Sequence, residues 1–364
     1  MLATGNIGRE GTGLYPLPGH QNAQGACDMG ALPDFYCGYQ KVAQARRKFE
    51  QAWQIELPDE PGLTALEMLA LAEDGRLKGL FIVGEDPMMS YPDSFRIKKA
   101  LEALEFLVVC DIFPTQTSEL ADVVLPAASF AEKVGTITSA ERRIQLIRQA
   151  VKAPGEARAE WEIFSDLLHR LGVRADYASP AEIMEEIASL TPQYGGISYD
   201  RLGACGLQWP CHSRDHPGTA VLHVEKFSIG RARFRAVEHR EPVEAADDEY
   251  PLILTTGRSL YHFHTGTMTR RTSLLDREVP LPAVEINPED ASPLGIRNGQ
   301  QVIVETRRGS ISLEARVTEG VLKGCIFAPF HFSEAAANVL VAQALDQGSK
   351  MPEFKVSAAR IRRA

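Results

Sequence analysis

Gly79-Leu80-Phe81-Ile82-Val83-Gly84-Glu85-Asp86-Pro87 is an apolar run of strand length that stops in a glycine and two acids. A helix is predicted before it, near Leu63–Glu73, and another after it, near Ser94–Leu104; a second apolar run, Phe106–Cys110, then ends in Asp111. Strands that alternate with helices imply parallel pairing through crossover connections. In such sheets ligands sit beyond the carboxyl ends of the strands. There Gly84 lets a ligand approach the backbone, and Glu85, Asp86 and Asp111 can accept from ribose hydroxyls or a purine edge. No Gly-x-x-x-x-Gly-Lys-Ser/Thr phosphate loop is present, so a nucleotide here would be held without one. Acids that merely cap the following helices explain the same residues about equally well.

Working outward, a third strand is predicted at Val123–Leu125 and helices at about Ala157–Leu171 and Ala181–Leu190, the latter with Ser179 as N-cap and Pro180 at the first helical position. Short strands are predicted at Ala220–His223 and Arg231–Ala236. The acidic stretch Glu244–Glu249 reads as a linker, because like charges resist compaction. After Tyr250 the pattern turns all-β: Leu252–Thr255, Ala283–Ile286, Gln301–Thr306, Ser310–Val317 and Cys325–Ala328 lie between turns such as Asn298-Gly299 and Arg308-Gly309. A small closed barrel accounts for them. The fold class is therefore α/β, a Rossmann-like parallel-sheet region followed by a C-terminal β-barrel. Residues 1–40, rich in Gly, Pro, Asn and Gln, suit a backbone threading round a ligand. Three segments follow: 1–40 as a cofactor-contacting opening, 41–245 as the α/β dinucleotide-binding region, and 246–364 as the barrel.

The chain has 364 residues, 44% of them apolar, enough to bury a sizeable core in more than one domain. A formal net charge of −9 disfavours a nucleic-acid surface. No apolar run approaches the roughly 18 residues of a membrane span. The N-terminus lacks the pattern of a secretory signal, so the cytoplasm is the expected location. Cys27, Cys37, Cys110, Cys205, Cys211 and Cys325 form no Cys-x-x-Cys pair and read as buried free thiols rather than ligands of zinc or an iron–sulfur cluster. No metal-ligating or catalytic set is assigned.

The loop Gly257-Arg258-Ser259-Leu260-Tyr261-His262-Phe263-His264-Thr265-Gly266-Thr267-Met268-Thr269-Arg270-Arg271 follows a barrel strand and is dense in donors. His262 and His264 alternate as in an extended segment, which makes them a poor chelating pair and better suited to hydrogen bonding a polar heterocycle or phosphate. A solvated polar loop is the favoured explanation of this stretch taken alone.

Several ordered motifs shift that balance. Gly5-Asn6-Ile7-Gly8-Arg9-Glu10-Gly11-Thr12-Gly13, Gln24-Gly25-Ala26-Cys27-Asp28-Met29-Gly30, Gly84-Glu85-Asp86-Pro87, Asp111-Ile112-Phe113, Ala121-Asp122-Val123-Val124-Leu125-Pro126, Gln208-Trp209-Pro210-Cys211, Met268-Thr269-Arg270-Arg271 and Pro352-Glu353-Phe354-Lys355 together resemble the molybdopterin oxidoreductases, formate dehydrogenases above all. The resemblance spans essentially the whole chain. It implies a double-psi-like barrel, molybdopterin guanine dinucleotide carrying molybdenum or tungsten, and a formate dehydrogenase-like oxidation of formate to CO2. It further implies that Gly84, Glu85, Asp86 and Asp111 line a guanosine pocket with Glu160 at a matching acidic position, and that Arg258, His262, His264, Thr265, Asn338 and Lys355 contact pterin or phosphate.

On the same resemblance the chain begins near the family's midpoint. The 4Fe-4S cluster and the metal ligand are then expected in an N-terminal half or subunit, with electron-transfer subunits and a small-molecule substrate as further partners. One position departs from the pattern: Pro18 stands where formate dehydrogenases place an arginine that can hold the substrate carboxylate. That departure leaves open a different small oxo-substrate, a substitute such as His20 or Arg9, or a non-catalytic scaffold subunit of a redox complex.

Overall fold

In the computed structural model, which describes residues 1–364, the chain is divided into two compact units, each discontinuous in sequence. One comprises residues 1–64 and 126–237, the other residues 65–125 and 238–364. The expected division at residues 40 and 245 runs along the chain; the compact units instead join the parallel sheet with the barrel.

In the second unit, β1 (Gly79–Val83), β2 (Phe106–Asp111) and β3 (Val123–Pro126) form a sheet in that order. β1 and β2 run parallel, Gly79 opposite Phe106 and Val83 opposite Cys110. Helices Ala65–Glu73 and Ser94–Glu102 lie against the sheet, and Leu69, Ala72, Ile82, Ile97, Leu101, Leu107 and Val109 close into one apolar core. Alternation puts Phe81 and Val83 on the opposite face of β1, where 36% and 40% of their surface is exposed.

The barrel of this unit uses β4 (Leu252–Gly257), β5 (Ala283–Ile286), β6 (Gln301–Glu305), β7 (Ser310–Val317), β8 (Cys325–Pro329) and β9 (Ser357–Arg363). They close in the order β5-β7-β6-β9-β4-β8. Two parallel pairs, β5 with β7 and β4 with β8, are joined by antiparallel neighbours. Inward-facing Leu254, Val284, Ile286, Val302, Val304, Leu313, Ile326, Ala359 and Ile361 fill it. β9 escaped the sequence reading because Ser357-Ala358-Ala359-Arg360-Ile361-Arg362-Arg363 carries small and charged residues and little of the β-branched signal.

The first unit holds helices Val42–Trp53, Glu160–Arg170 and Pro180–Leu190 and an antiparallel sheet of strands Gly135–Thr138, Arg143–Ile147 and Leu207–Gln208. Ile144, Met184, Tyr194, Ile197, Leu202 and Cys211 form its core. Ser179 and Pro180 start the last helix as expected, although the serine side chain makes no capping bond.

Three expectations need correction. No strand forms at Ala220–His223 or Arg231–Ala236; Phe234 and the flanking Val224 and Val237 are largely exposed. The acidic stretch 244–249 is no free linker: Arg307 and Arg308 pair with Glu244, and Arg307 also pairs with Asp247, so the mutual repulsion is neutralised at the barrel surface. All six cysteines are free, but only Cys110 and Cys211 are buried, and Cys205 is exposed. No helix is long and apolar enough to cross a membrane.

Candidate functional site

β1 ends at Gly84, whose φ of +62° favours glycine; a Cβ placed there would meet open space. Its N–H donates to the Cys110 carbonyl at 2.8 Å, which continues the β1–β2 ladder to the strand end. Asp86, only 8% exposed, accepts from the Thr117 hydroxyl at 2.6 Å and the Thr117 N–H at 3.2 Å, so it ties the loop after β1 to the loop after β2. Glu85 accepts from the Ser90 hydroxyl at 3.0 Å and the Tyr91 hydroxyl at 3.2 Å. Asp111, at the end of β2, accepts from the Ile112 N–H at 2.6 Å.

Burial raises the carboxyl pKa of all three acids above its ordinary value, and the Asp86 charge adds to the rise at Glu85 and Asp111. The opposing charge at Asp111 is Arg271. That arginine donates to the Pro114 carbonyl at 2.9 Å and stacks over Phe113 at 4.7 Å, which fastens the far end of the barrel's donor loop beside Asp111.

At the barrel rim, Arg258 follows β4 and lies 5.2 Å from the centre of the Phe263 ring. Lys355, just before β9, donates to the Thr256 carbonyl. Burial lowers the pKa of both, and the Arg258 charge lowers that of Lys355 further. An anion beside these two cations would offset both shifts. Thr265 exchanges a hydrogen bond with Thr267 at 2.9 Å. His264 takes φ +51° and places its ring 5.7 Å from that of Phe330.

His262 is buried and fully engaged within the chain, Nδ1 to Thr269 Oγ1 at 3.3 Å and Nε2 to the Val279 carbonyl at 2.8 Å. As arranged it braces the loop. Asn338, 3% exposed, donates from Nδ2 to the Met89 carbonyl at 2.7 Å, while its Oδ1 is buried without a partner. Glu160 lies in the other unit, where it pairs with Lys133. The remaining expected residues belong to one compact unit.

Two residues escaped the sequence reading. His331, 1% exposed, holds the donor loop from beneath, and Asp28, 0% exposed, is the hub of the other unit's polar network. A lone histidine after an apolar strand and an aspartate in a glycine-rich run give no distinctive signal. A cavity of about 650 Å³ on the barrel's outer wall is lined by Arg258, Ser259, Arg316, Phe327 and neighbours.

A sheet whose strand ends carry buried and half-buried acids, in one unit with a barrel whose rim carries cations, is the kind of architecture that dinucleotide-binding proteins use. The chain belongs to the molybdopterin oxidoreductase family. Residues 1–170 match the profile of molybdopterin oxidoreductase, and residues 252–358 match that of the molydopterin dinucleotide binding domain. The chain is 52% identical to the F420-dependent formate dehydrogenase subunit alpha of Methanocaldococcus jannaschii over 367 residues, 100% of this chain and 54% of that protein. It is 37% identical to formate dehydrogenase H of Escherichia coli over 369 residues, 99% of this chain and 52% of that protein. It thus spans about half the length of these relatives. The acetylene hydratase structure from Pelobacter acetylenicus shares the fold, with a TM-score of 0.63 at 17% identity, over 93% of this chain and 50% of that one.

The family implies a molybdopterin guanine dinucleotide, and the residues present fit one. Gly84 leaves room for a ligand at the strand end, and Asp111 is a carboxylate suited to N–H donors. Arg258 and Lys355 supply positive charge at the rim, and the Oγ of Ser259 and Oδ1 of Asn338 are buried without partners.

Proposed function

We propose that this chain is the dinucleotide-holding, C-terminal part of a molybdenum or tungsten oxidoreductase of the formate dehydrogenase type. It would act with an N-terminal half or subunit carrying the 4Fe-4S cluster and the metal ligand, and with electron-transfer subunits. The observation that carries this reading is the assembly of strand-end acids and barrel-rim cations within one compact unit, on a chain alike over its whole length to formate dehydrogenase subunits.

When bound, the dinucleotide supplies the metal centre for two-electron exchange. The chain's own residues bind and orient it. Asp111 accepts from the guanine N–H edge, Gly84 admits the nucleoside to the backbone, and Glu85 and Asp86 brace that strand end through Ser90, Tyr91 and Thr117. Arg258 and Lys355 neutralise phosphate charge, while Thr265, His264 and Asn338 supply polar contacts to phosphate or pterin, with His262 holding their loop. Glu160, paired with Lys133, is a further acidic candidate. Formate is the substrate the named relatives indicate. Pro18 offers no charge for its carboxylate, and Arg9 is turned onto its own loop, donating to Asn6 Oδ1 at 3.1 Å and the Gly5 carbonyl at 3.2 Å.

The test is made in the complex co-expressed with the N-terminal partner. Acid-released guanine dinucleotide is counted per chain, and formate-dependent dye reduction is followed. Asp111→Asn can keep its oxygen on the Ile112 N–H and must then turn an NH2 toward the guanine donors, at a cost of about 1–3 kcal/mol. Occupancy should fall with little change in melting temperature. Full occupancy with a large fall in melting temperature would make Asp111 a structural cap. A complex that lacks the dinucleotide altogether would favour the scaffold reading.

A further inference from the structure

The segment Gly257–Gly266 of the donor loop is held along its length by a residue just beyond β8, the strand that neighbours β4 in the barrel. β8 ends at Pro329, and the chain runs on beneath the loop: the Phe330 N–H donates to the Gly257 carbonyl at 3.2 Å. The ring of His331 then meets the loop at two points. Its Nε2 lies 2.7 Å from the Ser259 nitrogen, and its Nδ1 lies 2.6 Å from the His264 carbonyl oxygen. The Ser259 N–H can only donate, so Nε2 must accept. Nδ1 therefore carries the proton and donates to His264, which fixes one neutral tautomer. The backbone of the same residue makes a third contact, since a Cβ on Gly266 would sit 2.7 Å from the His331 carbonyl oxygen. Arg258, His262, His264 and Thr265 lie on or beside the segment so pinned.

We propose that His331 is the positioning residue of this loop, bridging Ser259 and His264 so that Arg258, His264 and Thr265 are aimed at the bound dinucleotide. This rests on the reading that the loop contacts that cofactor. The groups facing the ring are consistent with its neutral state: His262 stands 5.4 Å away centre to centre, Arg258 and Arg270 add positive charge, and burial with these charges brings its pKa down to about 4.

The two bonds can be removed separately. His331→Asn retains a donor near the place of Nδ1 and loses the Ser259 contact. His331→Gln can retain an acceptor near Nε2 and loses the His264 contact. His331→Phe loses both and keeps the bulk. Val304→Ala, in the barrel core, serves as a control of stability loss without loop contact. Each variant is made in the co-expressed, loaded complex, and the rate of dinucleotide release on dilution is measured alongside the melting temperature.

The Phe variant should release dinucleotide at least about fivefold faster than wild type, the Asn and Gln variants by smaller factors, and Val304→Ala at the wild-type rate despite its lower melting temperature. Adding Arg258→Ala to His331→Phe should increase release by less than the product of the two single effects, because the histidine acts through the arginine's placement. Release from all three His331 variants at the Val304→Ala rate, or full multiplicativity with Arg258→Ala, would overturn the positioning role while leaving the cofactor reading intact. Should the wild-type complex hold no dinucleotide, both would fall.

Discussion

Asp28 gives the sharpest test of the physical reasoning, because its surroundings assign opposite outcomes to two substitutions of similar size. The residue is 0% exposed at the end of helix Ala23–Asp28. Its Oδ2 accepts from the Tyr194 hydroxyl and from the Trp209 indole N–H, both at 2.7 Å, and its Oδ1 accepts from Gln24 Nε2 at 2.7 Å. Burial raises its pKa, and the hydrogen bonds only partly offset the rise. A raised folded-state pKa means that folding is favoured below the unfolded pKa and that this advantage is lost as pH rises through the folded pKa. At neutral pH the charge is thus a net cost, and the geometry of acceptance is what the fold uses.

In Asp28→Asn the amide oxygen can take the Oδ2 position and keep the Tyr194 and Trp209 bonds. The amide nitrogen then faces Gln24, whose own amide can turn its oxygen inward while accepting from the Tyr39 hydroxyl, now 3.1 Å from Nε2. The change should cost less than about 1 kcal/mol, or even stabilise. Asp28→Leu is close in volume but leaves the Tyr194 and Trp209 donors without an acceptor, at about 1–3 kcal/mol each, hence roughly 2–6 kcal/mol in all. Urea unfolding followed by tryptophan fluorescence reads both. The stability difference should also move in favour of the Asn variant as pH rises through the Asp28 pKa. A loss in Asp28→Asn as large as in Asp28→Leu would show that the negative charge itself is required, and the hydrogen-bond account of this hub would be wrong.

Acid titration should expose His331: with its pKa lowered to about 4 from 6.5, its contribution to stability is complete above 6.5 and is lost as pH falls toward 4, and His331→Gln should flatten the melting-temperature profile across that window. Limited trypsin digestion should cut first at Lys226, Arg231, Arg233 or Arg235, in the exposed coil before residue 238, rather than within the ion-paired stretch 244–249. Asp86→Ala should lower stability by about 1–3 kcal/mol by stranding the Thr117 N–H and hydroxyl, and Thr117→Val should reproduce part of that loss; a neutral Asp86→Ala would remove the brace assigned to it.

The fold was legible where burial writes a pattern. β1, β2 and most barrel strands are continuous or alternating apolar runs that stop at a glycine, a proline or a polar residue, and the sequence places them within a residue or two of their observed ends. What escaped was written in contacts between distant segments. β9 is recognised only by pairing with β4 and β6, and strands Arg143–Ile147 and Leu207–Gln208 only by pairing with each other across the intervening helices. The acids at 244–249 read as mutually repelling because their partners, Arg307 and Arg308, are remote in sequence. At the site, the strand-end position of Asp111 is readable from the residues, while Lys355 and Asn338 enter only through the family resemblance; His262 turns both ring nitrogens, and Asn338 its amide donor, toward their own chain. Side-chain direction in an irregular loop follows from what packs beneath it, and periodicity carries no information there.

The ionisation pattern itself limits what the site can hold. Glu85, Asp86 and Asp111 are all raised by burial, so the protein spends desolvation energy to keep carboxylates at the ends of β1 and β2. Asp86 and Glu85 recover part of it through Thr117, Ser90 and Tyr91. Asp111 has the Ile112 N–H and the charge of Arg271, which is itself fastened to Pro114 and Phe113. Neutral N–H donors arriving in a fixed plane would offset that cost without adding a buried charge. At the barrel rim the sign is reversed: burial depresses both Arg258 and Lys355, the Arg258 charge depresses Lys355 further, and an anion would relieve both. A ligand that offers planar N–H donors at one end and phosphate charge at the other would suit both halves of the unit, and the guanine dinucleotide we propose is such a ligand.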